Sequence, residues 1–226
     1  MHLQVENLTL RRGERTLISS LSFELAAGEA LVLKGPNGVG KTTLIRAIAG
    51  FIRPAGGEVR LAGGLTEHSV AEQCHFIGHQ NAVKSGLTVR ENADFWRLFQ
   101  AIPAAAAKGA TAGLSRVAGN QTDVALERLG LAAIAGIRAG YLSAGQRRRL
   151  ALTRLLLSPR PVWLLDEPTV SLDADATRVL ADLIAEHRGG GGLALAATHI
   201  DLGLAQAREL RLERASQELE AAWDHS

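Results

Sequence analysis

Cysteine is almost missing from these 226 residues: Cys74 stands alone. A single thiol builds no internal disulfide framework and suits a reducing compartment. Long apolar runs are missing as well. No stretch approaches the roughly 18 consecutive apolar residues that cross a bilayer as a helix. Residues 1–16 hold neither an apolar block nor a small-residue cleavage site, so no secretory signal is expected there. An excess of one charge sign is also lacking. Lys and Arg number 25 against 23 Asp and Glu, a formal net charge of +2. That net charge is too small to argue for nucleic acid or a strongly anionic membrane as the partner. Any membrane process served by this chain requires another chain to do the spanning.

What is present is ordinary for a globular protein, with 46% hydrophobic and 21% charged residues. The length suffices for a sizeable core in one domain or two closely packed lobes. Leu3 to Leu25 alternates short apolar runs around Gly13-Glu14-Arg15 and predicts a hairpin or antiparallel strands. Ala30 to Leu33 is a short buried-type strand, and Thr42 to Gly50 has helical composition closed by a glycine. Gly56-Gly57 reads as a turn before a strand from Glu58 to Leu61. Leu87 to Leu157 is mainly helical, interrupted by an Ala/Gly-rich stretch from Pro103 to Gly119 that predicts a surface loop or weak helix. Two apolar strands follow, Val162 to Leu165 and Leu193 to Ala197, around a helix from Ala176 to Arg188. Strands alternating with helices imply an α/β fold with a mainly parallel sheet. In the polar tail, Glu213 to Ser226, a thin helical stripe of Leu212, Leu219 and Trp223 predicts a docked terminal helix.

Three segments carry chemistry. Gly35-Pro36-Asn37-Gly38-Val39-Gly40-Lys41-Thr42 matches GxxxxGK[ST] between a strand and a helix. Glycines let backbone N–H groups turn inward onto phosphate oxygens, and the helix that follows points its positive dipole end at the same anion. Lys41 can reach the β- and γ-phosphates, the Thr42 hydroxyl can coordinate Mg²⁺, and Thr43 can donate to a nearby phosphate. Val162 to Asp166 is an apolar strand ending in two carboxylates. Asp166 is placed to hold Mg²⁺ through water, and Glu167 to orient or deprotonate a water attacking the γ-phosphate. Third, Leu142-Ser143-Ala144-Gly145-Gln146 reads locally as a capping box ahead of the basic run Arg147 to Arg149. Ser143 and the Gly145 N–H also offer a second set of phosphate donors. They would serve the nucleotide of a second copy arranged head to tail.

These motifs, in this order along nearly the whole chain, resemble an ATP-binding cassette (ABC) ATPase. The resemblance implies a P-loop NTPase fold: a mainly parallel sheet core, an N-terminal antiparallel hairpin region and a helical lobe. It implies a single domain, with residues 1–83 and 159–212 as the nucleotide-binding core, 84–158 as the lobe and 213–226 as a tail. It makes Gln80 the glutamine that senses Mg²⁺ and the attacking water, Ser171-Leu172-Asp173 the D-loop that crosses a dimer interface, and His199 the switch histidine on the γ-phosphate. Two positions depart from the family pattern. Ala144 replaces the commonest glycine, and Arg12 stands where an aromatic side chain usually stacks on adenine. A guanidinium plane also stacks on a base, so adenine is expected to be held loosely, with affinity coming mainly from the triphosphate.

Phe76 to Gln80, Lys84, Leu87 to Asn92, the signature run through Arg149 and the hairpin Glu14 to Leu17 resemble the haem-exporter cassettes of bacterial cytochrome c maturation. That resemblance implies a homodimer of cassettes on the cytoplasmic face of the inner membrane. It also implies integral membrane subunits contacted through Gln80 to Phe99. No CxxCH is present, so direct haem binding is not expected, and Cys74-His75 is read as a structural pair. Another ABC importer or exporter shares the same motifs. A cassette acting on DNA or ribosomes usually carries a coiled-coil insertion or a second cassette, and neither is present. A GTPase usually carries a base-reading NKxD motif, which is absent too.

Overall fold

The computed structural model describes residues 1–99, 121–200, 202–204 and 206–213. The Ala/Gly-rich stretch and the tail beyond residue 213 lie outside the described residues. The described strands fall into two sheets. One is antiparallel, in the order β2 (Arg15–Ala26), β1 (His2–Arg12), β4 (Gly56–Ala62). Its hairpin turns at Gly13 and Glu14, with Arg12 opposite Arg15. Residues 56 and 57 belong to β4, which corrects the expectation of a turn there: Gly56 pairs with Thr9, and the extra residue of the register break lies on β1, where the Asn7 backbone leaves no room for a Cβ on Gly57.

The second sheet is parallel throughout, in the order β5 (Cys74–Ile77), β6 (Val162–Asp166), β7 (Leu193–Ala197), β3 (Ala30–Lys34), β8 (Arg208–Arg211). Every residue of β6 and β7 is buried, as expected for strands covered on both faces. The pleat sends alternate side chains to two cores. Val162, Leu164, Leu193, Leu195, Leu31 and Leu33 pack with the antiparallel sheet and helix α1 (Lys41–Ile48). Trp163, Leu165, Ala194 and Ala196 pack with helices α2 (Val89–Phe99), α3 (Gln121–Arg128), α4 (Ala144–Leu157) and α5 (Ala174–Gly189). Helix α1 ends where Gly50 and Phe51 donate to the carbonyls of Ala47 and Arg46, a Schellman-type stop. No helix among the described residues is long and apolar enough to cross a membrane.

One strand near the chain's end was not expected from the sequence, and one expectation there needs revision. Strand β8 has almost no apolar signature, because Arg208, Glu209 and Arg211 are exposed. Leu212 is not part of a helical stripe. It follows β8 in extended pairing, donating to Lys34 O at 2.9 Å, and is buried in the core that holds Val39. The Cys74-His75 pair is structural, as expected. Burial pushes the thiol up to about 12, and His75 bonds the carbonyl of Ser158.

Two histidines are buried without charge. His187 stacks on Trp163 with centroids 4.0 Å apart and an interplanar angle of 8°. Desolvation lowers His187 to about 4 and His75 to about 3 from 6.5. The unfolded chain therefore binds more protons below pH 6.5, and stability falls with falling pH until the folded histidines themselves titrate. Urea unfolding at pH 7, 6 and 5 should show a loss of about 2 kcal/mol per histidine across that range. In His187→Phe, which keeps the stack, roughly half of that slope should disappear.

Candidate active site

Four of the segments with candidate chemistry leave the carboxyl ends of parallel strands, where α/β sheets bind ligands. β3 runs into the phosphate loop, β6 into Glu167, β7 into Thr198 and His199, and β5 into Gly78 and Gln80. The loop is shaped by close approaches that exclude a side chain. A Cβ on Gly35 would lie 2.5 Å from the carbonyl oxygen of Leu212. Gly40 has a φ of +115°, caps α1 and packs its Cα against Ile18 and Leu17 of the hairpin. Lys41 is only 8% exposed, and its Nζ donates to Gly35 O at 2.6 Å and Pro36 O at 3.2 Å. The ammonium is thus held inside the loop formed by Gly35, Pro36, Asn37, Gly38, Val39 and Gly40. The first turn of α1, with Thr42 and Thr43, opens onto the same space.

Asp166 is 3% exposed, and its Oδ1 accepts a 2.9 Å hydrogen bond from Thr42 Oγ1. Among the described residues no cluster of three or more His, Cys, Asp or Glu exists. Mg²⁺ does not need one. It retains waters and takes one or two protein oxygens beside substrate phosphates, so a hydroxyl bonded to a buried carboxylate fits it.

Glu167 stands next to this pair in a left-handed backbone conformation, φ +48°. For a non-glycine residue that conformation costs about 1–2 kcal/mol and persists only where the surroundings fix it. Its N–H donates to Ala197 O at 2.8 Å. Its carboxylate Oε1 lies 3.4 Å from His199 Nε2. The structure therefore brings Thr42, Asp166, Glu167 and His199 to one edge, with Lys41 in the adjoining loop. Gln80 is exposed, three residues past β5, on the wall of a groove of about 670 Å³. Arg12 is exposed at the end of β1, on the hairpin whose second strand backs Gly40.

Leu142 is buried, while Ser143, Ala144 and the preceding Tyr141 are exposed. The capping box forms in full: Gln146 N–H donates to Ser143 Oγ at 3.2 Å, and Ser143 N–H to Gln146 Oε1 at 2.9 Å. A Cβ on Gly145 would lie 2.8 Å from Ser171 O, so the signature turn packs on the Ser171-Leu172-Asp173 segment. Asp173 caps α5 by accepting from Ala176 N–H at 2.8 Å.

Arg148 is where the sequence reading fell short. Read only as part of the basic run Arg147 to Arg149, it is 2% exposed. Its Nε donates to Pro168 O at 3.0 Å, Nη1 to Gly78 O at 2.5 Å and Asn81 Oδ1 at 3.1 Å, and Nη2 to Glu167 O at 2.7 Å. Burial lowers its pKa, opposed by Asp166 and Glu167. The available signal was positional: residue 148 follows the cap by five, on the face that carries the buried Ala151, Leu152 and Leu155.

A family model described as ABC transporter matches residues 18–170, and the chain belongs to the ABC transporter family. More particularly, it is similar to proteins named cytochrome c biogenesis ATP-binding export protein CcmA. The one from Rhizobium johnstonii is 48% identical over 217 residues, covering 94% of each chain. The one from Rhodopseudomonas palustris is 46% identical over 218 residues, covering 96% of this chain and all of the relative. Among solved structures, a putative ABC transporter ATP-binding protein from Pyrococcus furiosus superposes with a TM-score of 0.74 at 22% identity, covering 94% of this chain and 98% of that one. A dimeric ATP-binding cassette in a post-hydrolysis state with ADP and phosphate gives 0.70 at 24% identity, covering 93% and 94%. At these identities the two structures establish the fold.

Lys41→Ala removes a cation whose protein partners are two loop carbonyls and nothing in the core. Its melting temperature should stay near that of the wild type. Nucleotide affinity, read by fluorescent ATP titration, should fall about 100-fold, as expected for losing two charge-assisted bonds to phosphate.

Proposed function

We propose that this chain is the ATP-hydrolysing subunit of a transporter complex that powers haem export, or release of the loaded haem chaperone, in cytochrome c biogenesis. The observation that carries this is the convergence of Lys41, Thr42, Asp166, Glu167 and His199 at one sheet edge, in a chain 48% identical to a cytochrome c biogenesis export ATPase. Two copies bind two ATP molecules, each between one chain's phosphate loop and the other's Ser143 turn. Tyr141, Val170 and Ile200 support the pairing: they are exposed apolar side chains, Tyr141 at 82%, in the segments that flank the signature, the D-loop and the switch histidine. The polar tip of Tyr141 and the apolar bodies of the other two suit a face covered by a partner.

The phosphate loop and Lys41 hold the β- and γ-phosphates. Thr42, Asp166 and Gln80 would hold Mg²⁺, which neutralises phosphate charge when bound. Glu167 accepts the proton of the attacking water and His199 steadies that carboxylate and the γ-phosphate. Catalysis on this account is mainly positioning and electrostatics. Residues 1–83 and 159–212 form the nucleotide-binding core, and 84–158 the lobe that carries the signature.

The chain sits on the cytoplasmic face of the inner membrane, held by integral membrane subunits that dock in the groove beside Gln80. Phe51, 67% exposed and edge-on to Phe76, lines that groove with Ile52 and Trp96. Haem is handled by those partners and not by this chain. Asn92 ties the segment at the start of the lobe to α2. It is buried in α2, accepts from Lys84 N–H at 2.8 Å, and donates to the carbonyls of Lys84, Leu87 and Thr88.

Glu167→Gln should give an ATP-stabilised dimer on size exclusion with turnover reduced about 10²- to 10⁴-fold. A protein that stays monomeric at saturating Mg-ATP, alone and with its membrane partners, overturns the sandwich. Deletion of the gene should abolish the haem-stained c-type cytochromes, and unchanged cytochromes overturn the haem assignment. Ser143→Asp separates cap from contact. Aspartate caps a helix as well as serine does, so stability should hold within about 0.5 kcal/mol. Its charge facing the partner's γ-phosphate should abolish ATP-dependent dimerisation.

A further inference from the structure

The 167–171 segment carries two left-handed non-glycine residues, Glu167 at φ +48° and Ser171 at φ +67°. Strain of that kind relaxes unless neighbours oppose it. Helix α4 opposes it at two points. At its first turn Gly145 lies against Ser171 O, and one turn further Arg148 donates to the carbonyls of Glu167 and Pro168. The same guanidinium reaches the other way, to Gly78 O and Asn81 Oδ1 just before and after Gln80. Ser143, five residues before Arg148, stands about 7.5 Å up the same helix and faces outward.

We propose that Arg148 is a positioning residue that fixes Glu167 and the Gln80 loop to α4, so that a chain's own hydrolytic carboxylate is aligned only while its signature turn is seated. This rests on the reading of the chain as a two-copy ATPase. In that dimer Ser143 contacts the partner's nucleotide, whereas Glu167 serves the chain's own. Arg148 therefore joins one ATP site to the other through a single rigid turn and a half of helix. The planar fork is what the task requires. Five bonds leave it in three directions, toward Pro168, toward the adjacent carbonyls of Asp166 and Glu167, and toward the pair Gly78 and Asn81. A lysine offers three donors at one point and reaches one of those walls at a time.

The test uses the full chain with Arg148→Lys, which keeps the charge, and with Asn81→Leu, which removes one partner at a part-exposed position. Arg148→Lys should lower kcat about 10- to 100-fold, the size of effect that a small misplacement of a reacting group produces. KM for ATP should change by less than about twofold, because the phosphate loop is untouched. In the Glu167→Gln background, Arg148→Lys should still form the ATP-dependent dimer, so that assembly survives while turnover does not. Asn81→Leu should lower kcat about threefold at constant KM, and adding it to Arg148→Lys should cost nothing more, since both break one network.

Retention of wild-type kcat in either single variant overturns the proposal. So does a parallel loss of kcat, ATP affinity and dimerisation that follows a drop in melting temperature, the pattern of general unfolding. Should Arg148→Lys fail to fold, Asn81→Leu alone decides. The wild-type chain keeps the two ideas apart. Absence of ATPase there overturns the functional reading, whereas normal wild-type turnover with unaltered variants overturns only the role of Arg148.

Discussion

Strands β6 and β7 are five residues long and buried on both faces, which is possible only because each face has its own apolar cover. The antiparallel sheet and α1 close one side, and the helices from α2 to α5 the other. A strand so enclosed can expose functional groups only at its ends. With all five strands parallel, their carboxyl ends share one edge, and the loops leaving that edge are forced together. The Thr42–Asp166 hydrogen bond, which joins residues 124 positions apart, is a result of this arrangement. Remove the parallel register and neither the phosphate loop nor the carboxylates have a reason to meet.

That constraint brings groups to the same edge but does not aim them. Aiming depends on local backbone conformations that the chain does not favour. Glu167 takes a left-handed turn directly after a strand, and this carries its carboxylate toward His199 and away from the buried sheet. The 2.8 Å bond from its N–H to Ala197 O and the 2.7 Å bond from Arg148 to its carbonyl fix the peptide groups on both sides of its Cα. A buried cation of this kind is a poor source of net stability, since its desolvation offsets most of its attraction. Its five hydrogen bonds to oxygens around Glu167 and Gln80 make better sense as a device for holding a geometry than as cohesion. The bland alternative, a core arginine satisfying whatever carbonyls lie nearby, does not explain why every one of those carbonyls flanks Glu167 or Gln80.

How much of this was legible in the sequence follows from which signals are local. The phosphate loop, the two carboxylates and the capped signature helix are each set by neighbours within about eight residues, and they stand where the sequence places them. The strands β6 and β7 announce themselves as unbroken apolar runs. Strand β8 does not, because as an edge strand it buries little and shows charge on its open side. Leu212 was assigned to the wrong element for the same reason: its burial comes from a partner 178 positions earlier, at Lys34. Arg148 was hidden by composition. Between Arg147 and Arg149 it reads as one more member of a basic run, and only tertiary packing shows that the middle arginine of the three turns inward.

Ser143 shows why the two halves of such a site need not share a chain. Its hydroxyl is already used as an acceptor by the N–H of Gln146, yet it keeps its own proton and a second lone pair for something beyond the helix. Nothing in its own chain takes them among the described contacts. A group that caps a helix and still faces outward is pre-organised at no added entropic cost, because the cap has already fixed its rotamer. The same helix then buries Arg148 against the loops that carry Glu167 and Gln80. One helix thus leaves an outward-facing donor at its tip and grips its own chain's loops at Glu167 and Gln80 a turn and a half further on. In the proposed two-copy arrangement, chemistry that depends on both ends runs only when the neighbour is present, and for an ATPase that drives a membrane machine this is the useful condition. Hydrolysis by an unpaired subunit moves nothing.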